Sequence, residues 1–213
     1  MSAIGHHNLI PCIKLSVMAD DRETWIRHSF QLALFTTAFH SLQFGASLLL
    51  WSSTRSASLM AFGLDAFVSA VAALVLALRI QREWRHRFVA YGYMAASLVA
   101  FYLGASMLWN GERPARNVLG IVVAAVSMLV IPIIGSYMKT LAVELRSQTL
   151  KSAAIFTFGN SYLSMVLLIA LLLNAGMDLR WGDPLGALVM FPFIAQKGIQ
   201  ILLEEGKHEY VED

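Results

Sequence analysis

Ser56-Ala-Ser-Leu-Met-Ala-Phe-Gly-Leu-Asp65-Ala-Phe-Val-Ser69-Ala-Val-Ala-Ala-Leu-Val-Leu-Ala-Leu78 is an unbroken run of 23 residues with one charged side chain. A helix that crosses a bilayer needs about 20 predominantly apolar residues, and this window supplies them. Its content is too uniform for a β-barrel strand, which would alternate over about 10 residues. In hydrocarbon every backbone polar group must be bonded within the segment, so the window predicts a transmembrane helix. The lone carboxylate falls near its middle, where an ionisable group is expensive and is a functional hypothesis by default.

Five further windows read the same way: Ser29–Trp51, Phe88–Gly111, Asn117–Met138, Ser152–Met177 and Pro184–Leu203. The first four of these contain no Asp, Glu, Lys or Arg, and the last is shorter and carries Lys197 near its end. Lys197 is expected to run its apolar stem along the helix and place its ammonium among the headgroups. The chain as a whole is 57% hydrophobic and 14% charged, against about 25% charged in soluble domains. A soluble fold of this size would leave large apolar patches exposed. The expected class is therefore all-α: one polytopic bundle of six spans over residues 29–203. Short polar tails are expected at 1–28 and 204–213.

Lys and Arg set the expected orientation. With the N-terminus cytoplasmic, Arg55, Arg113, Arg116 and Arg180 lie outside and the remaining 12 of the 16 Lys and Arg lie inside. That excess argues for cytoplasmic termini and a location in the cell membrane. The basic run Arg79–Arg87 reads as a stop against translocation. No apolar core precedes Ser29, so residues 1–28 are not expected to contain a signal peptide; Met18 is a plausible alternative start. The pair His6-His7 reads as solvated tail. The formal charge of +2 points to no nucleic-acid partner, and the single Cys12 excludes an intramolecular disulfide.

Asp65 and His40 are the ionisable groups expected inside the bundle. At 1.5 Å of rise per residue their depths agree to within roughly one or two turns. Ser69 lies one turn from Asp65 on the same helix face, at i+4. Asn160, in the fifth window, falls at a depth close to Ser69. Carboxylate, imidazole, hydroxyl and amide are expected to converge if spans one, two and five adjoin. Plainer roles stand beside this one. His40 can bond a backbone carbonyl, Asp65 can be a protonated structural carboxyl, and Ser69 and Asn160 can be interhelical glue. Gly63, Gly104, Gly135 and Gly159 are expected to allow close helix approach, and Pro132 and Pro192 to mark kinks.

Several landmarks resemble the cation diffusion facilitator superfamily, in its short branch without a cytoplasmic metal-binding domain. Ser56–Ala66, with Ala-Phe-Gly-Leu-Asp65-Ala at its core, resembles the second span. Arg87-Phe-Val-Ala-Tyr-Gly-Tyr93 resembles the entrance to the third, Ser147-Gln-Thr-Leu150 the lead-in to the fifth, and Trp181-Gly-Asp-Pro184 the opening of the sixth. The resemblance covers roughly residues 29–205. It implies transport of a divalent cation, usually zinc, in exchange for protons, by a homodimer. The family's mid-membrane site takes two ligands from span two and two from span five. Here those positions are Asp65 and Ser69, then Phe156 and Asn160. An internal echo supports the register: Ser56, Leu59, Asp65 and Ser69 each lie 91 residues before Ser147, Leu150, Phe156 and Asn160.

Only Asp65 keeps a strong ligand type. Zinc takes about four nitrogen, sulfur or carboxylate ligands, and Asp65 with neutral Ser69 and Asn160 does not balance a dication even if His40 joins. The expectation is thus a proton-coupled divalent-cation carrier or cation-binding protein with a degenerate site, in contact with lipid. Asp65 is its primary ligand, with His40, Ser69 and Asn160 secondary. The alternative is a non-transporting structural or partner-binding bundle that keeps only the scaffold. An enzyme or redox carrier is not expected, because one intramembrane His does not provide two haem ligands and no nucleophile–base pair is visible.

Overall fold

The computed structural model describes residues 9–78, 83–177 and 179–209, with side chains described for 23–78, 87–177 and 179–203. His6-His7, the side chain of Cys12, most of the basic run Arg79–Arg87 and the side chains of 204–213 lie outside the described residues. Six helices follow one another: α1 (Leu9–Thr54), α2 (Ala57–Ala77), α3 (Glu83–Asn110), α4 (Val118–Glu144), α5 (Gln148–Gly176) and α6 (Gly182–Glu209). Each contains a segment long and apolar enough to cross a membrane, and no strand occurs among the described residues. The chain is therefore a multi-pass, all-helical membrane protein in contact with lipid. Six spans in series put the start of α1 and the end of α6 on the same face.

The largest departure from the sequence reading is at the N-terminus. Residues 9–28 are not a free tail but the first part of α1, which runs 46 residues. At 1.5 Å per residue such a helix is roughly 70 Å long, against about 30 Å of hydrocarbon. Trp25 and Leu32 anchor the region where α1 packs on Leu141, Ala142 and Leu150, around the turn between α4 and α5.

The main core is apolar, but on α1 burial runs opposite to that of a helix in a soluble bundle. On α1 the buried stripe is Thr36, His40, Gln43 and Ser47, spaced i, i+4, i+7 and i+11, while Leu42 and Leu49 are more than two-thirds exposed. Lipid solvates apolar side chains as well as a protein core does, so polar groups turn inward where they find partners. Small residues bring the helices close. A Cβ on Gly104 of α3 would stand 2.9 Å from the Pro184 carbonyl oxygen, and one on Gly198 of α6 would stand 2.8 Å from that of Ala90. These two contacts, at opposite ends, seat α3 against α6 antiparallel. Gly63 meets Ser47 of α1 as tightly, whereas a Cβ on Gly159 would find ordinary contact, at 3.6 Å from Lys197 Cε. Gly159 is thus not needed for close approach. Pro132 and Pro192 lie inside continuous helices.

The 91-residue echo is matched in the structure at two turns. Arg55 and Arg146 are the described non-glycine residues with positive φ, 58° and 49°. Each ends a helix in the left-handed conformation usual after a C-terminal turn. Each is followed by a serine N-cap: Ser56 Oγ accepts from Leu59 N and Ser147 Oγ from Leu150 N. The hairpins α1–α2 and α4–α5 are therefore built alike. Because three helices separate equivalent positions, the second copy enters the membrane from the opposite face. The likeness is that of an inverted repeat confined to these two hairpins.

Candidate functional site: a buried ion pair joining all six helices

Asp65 is 1% exposed and faces the bundle interior, on the same buried face of α2 as Ser58, Phe62 and Ser69. Its partner corrects the sequence reading of α6. Lys197 does not reach for the headgroups: it is 5% exposed, and its Nζ stands 2.6 Å from Asp65 Oδ1 as a buried salt bridge. The same ammonium donates to Asn160 Oδ1 and sits 5.3 Å from the centroid of the Tyr93 ring, within cation–π range. Snorkelling fails for a positional reason. Lys197 continues the core stripe Ala187, Met190, Ile194 at i, i+3, i+7 and i+10, so its stem starts on the face turned away from lipid.

From this ion pair the hydrogen bonds continue through the remaining helices. Asn160 Nδ2 donates to Ser69 Oγ at 3.0 Å and lies 3.5 Å from His40 Nε2. Ser69 Oγ and the Tyr93 hydroxyl are 3.0 Å apart. His40 Nδ1 is 2.7 Å from Gln43 Oε1, so Nδ1 carries the donated proton and Nε2 is left to accept from Asn160. Gln43 Nε2 donates to Ser127 Oγ at 2.6 Å, and Ser127 donates to the Val123 carbonyl at 2.7 Å. One connected network thus draws His40 and Gln43 from α1, Asp65 and Ser69 from α2, Tyr93 from α3, Ser127 from α4, Asn160 from α5 and Lys197 from α6.

The four candidates from sequence, Asp65, His40, Ser69 and Asn160, therefore do meet. The two positions related by the repeat, Ser69 and Asn160, touch directly. Sequence reasoning missed Lys197, Gln43 and Ser127 as members, and it quoted Tyr93 only as part of a landmark. The stripe spacing on α6 and the polar stripe on α1 were the available signals.

A second buried carboxylate stands apart from this site. Asp183, at the start of α6, accepts from Ser56 Oγ at 2.5 Å, from Ala57 N at 2.8 Å and from Ser58 Oγ. It ties the N-terminus of α6 to that of α2. All its partners are structural donors at a helix start, where a negative charge is favoured.

The donor chemistry constrains what the centre can hold. The described residues contain no group of three or more His, Cys, Asp and Glu placed to bind a metal ion. Asp65 is the only carboxylate in the network, and its charge is matched by Lys197. One carboxylate, neutral oxygens and one imidazole fall short of the set zinc takes. Comparison with protein-family models and with curated proteins finds no match to this chain.

Proposed function

We propose that this protein is a proton-coupled cation carrier built on a transmembrane domain of cation-diffusion-facilitator type. In this reading Lys197 is a built-in counter-ion that a cation must displace from Asp65. The observation that carries it is the Lys197–Asp65 pair itself, 2.6 Å between Nζ and Oδ1 in the interior of a six-span bundle. A buried ion pair is a poor way to stabilise a fold, since desolvation offsets much of the attraction. Ionisable groups at this depth mark ion and proton pathways far more often than structure. Lys197 also holds the place that a bound cation would take, between the carboxylate of α2 and the amide of α5. The inverted repeat supports the same reading, because carriers place their sites near mid-membrane where two repeats meet.

A second reading has its own support. Among the described residues, the buried side-chain atoms without a hydrogen-bond partner are His28 Nδ1, Ser47 Oγ and Asn117 Nδ2, none of which belongs to the network. A fully satisfied polar network is also what a non-transporting scaffold would keep.

Purified protein in vesicles carrying an internal pH dye separates the two. Under a preset pH gradient, external sodium, potassium, zinc and manganese chlorides are added in turn. A carrier dissipates the gradient with at least one of them, and Asp65→Asn abolishes that response. No cation-dependent proton movement from folded wild type leaves the scaffold reading standing.

A further inference from the structure

We infer that the α3–α4 loop and the α1–α2 turn together form a binding surface for the headgroup of an anionic phospholipid. The inference is independent of the carrier reading. The backbone brings the two segments together. Ala115 N donates to the Thr54 carbonyl at 3.0 Å, and Asn174 Nδ2 donates to the Pro114 carbonyl at 3.4 Å. The loop is thus pinned to the end of α1 and to the last turns of α5. Pro114 turns inward and is buried, while Arg113 and Arg116 on either side of it are exposed. Arg55 follows Thr54 directly and is exposed as well. Three arginines therefore leave the chain within two residues of one backbone hydrogen bond. Glu112 is the only acid between Gly111 and Asn117.

Position decides what such a cluster meets. Thr54 ends α1, Ala57 opens α2, Asn110 ends α3 and Val118 opens α4. The arginines thus stand at the ends of four membrane spans, at the level of the lipid headgroups. Tryptophan marks the same level. Trp51 lies under Arg55, whose guanidinium carbon is 5.3 Å from the ring centroid, and Trp109, one residue before the end of α3, is 91% exposed. A ring beneath a guanidinium holds it by its face and leaves its N–H edge to donate. That edge matches the oxygens of a phosphate as a two-pronged fork. Deeper in the membrane, Leu49 of α1 and Val118 and Val122 of α4 are more than half exposed, an apolar surface on which acyl chains lie. An anionic lipid satisfies both parts, phosphate on the arginines and chains on the aliphatic side chains. A soluble anion satisfies only the first, and a zwitterionic lipid offsets its phosphate with its own ammonium.

The test is lipid retention, followed by native mass spectrometry of the full-length protein released from neutral detergent. Phosphatidylglycerol and phosphatidylcholine are titrated in turn, and ammonium phosphate is added as a competitor. We expect wild type to retain phosphatidylglycerol in preference to phosphatidylcholine. Arg55→Gln and Arg113→Gln should each lower the affinity for phosphatidylglycerol about fivefold and leave that for phosphatidylcholine unchanged. Arg55→Lys keeps the charge but loses the fork, and should keep only part of the preference. Lys139→Gln and Lys151→Gln remove exposed charges near the α4–α5 turn, on the other face of the membrane, and should change nothing. Equal retention of the two lipids by wild type overturns the inference. An equal loss of phosphatidylglycerol from the two lysine variants also overturns it, because the effect would then follow net charge alone. Displacement of phosphatidylglycerol by an equal concentration of phosphate overturns it as well, by assigning the arginines to a soluble anion.

Discussion

At the level of single residues, Lys197 changes the sign of an expectation about Asp65. A carboxylate alone in a bundle would be relieved by Asp65→Asn, because the neutral amide is cheaper to bury. With Lys197 at 2.6 Å the substitution instead leaves a buried ammonium with only neutral partners, Asn160 and the Tyr93 ring. Removing one partner of a buried pair costs about 3–5 kcal/mol, whereas replacing both with well-packed apolar residues is often neutral. Asp65→Asn is therefore expected to lower stability by several kcal/mol, and the pair Asp65→Leu with Lys197→Met to recover most of the loss. Unfolding in mixed detergent, run as a double-mutant cycle, checks this. Additive effects of the two single variants would mean that Asp65 and Lys197 do not pair.

At the level of helices, α3 and α6 approach backbone to backbone at Gly104 and Gly198, beside larger contacts such as the Phe101–Phe191 ring pair. Gly198 faces the Ala90 carbonyl, Met94 and Tyr93. A methyl group there would press on backbone oxygen, which has no rotamer to escape into. Gly198→Ala is expected to cost about 1–3 kcal/mol, the range for overpacking, and to displace the neighbouring Lys197. By contrast, Gly159→Ala should be nearly neutral, since its new Cβ meets Lys197 Cε at ordinary contact distance. Thermal unfolding of the two variants in one detergent distinguishes them, and equal losses would remove the packing argument.

At the level of the molecule, the inverted repeat makes orientation a decisive question. The two repeat turns, at Arg55–Ser56 and Arg146–Ser147, belong on opposite faces. The expectation drawn from the excess of Lys and Arg on one side is that the first lies outside and both termini lie in the cytoplasm. Topology reporters fused after Arg55 and after Glu112 should read outside, and one after Glu144 inside. Reversal at any two of these sites would refute the orientation.

Much of this architecture was legible in the sequence, because the bilayer imposes a local rule. Each span must be long, apolar and internally bonded, so Ala57–Ala77 and Val118–Glu144 declare themselves residue by residue. Helix ends were legible as well: Ser56 and Ser147 read as paired landmarks and stand as paired N-caps. Two candidates, Asp65 and Ser69, follow from the i+4 spacing of one helix, and the meeting of Asn160 with Ser69 was foreshadowed by the 91-residue echo. The identity of the charge opposite Asp65 was not legible in the same way. Lys197 lies 132 residues further on, and a lysine near the end of a span is compatible with two fates that differ only in which way its face turns. Rotation of α6 about its axis is set by Gly104 of α3 against α6, Gly186 of α6 against α5 and α2, and Gly198 of α6 against α3, contacts that no single helix encodes. Membrane insertion and the helix starts at Ser56 and Ser147 are decided by solvent and by neighbours within a turn, and so the sequence by itself determined them. The closing of the site around an internal cation depends on the mutual rotation of six helices, and only the tertiary structure decided it.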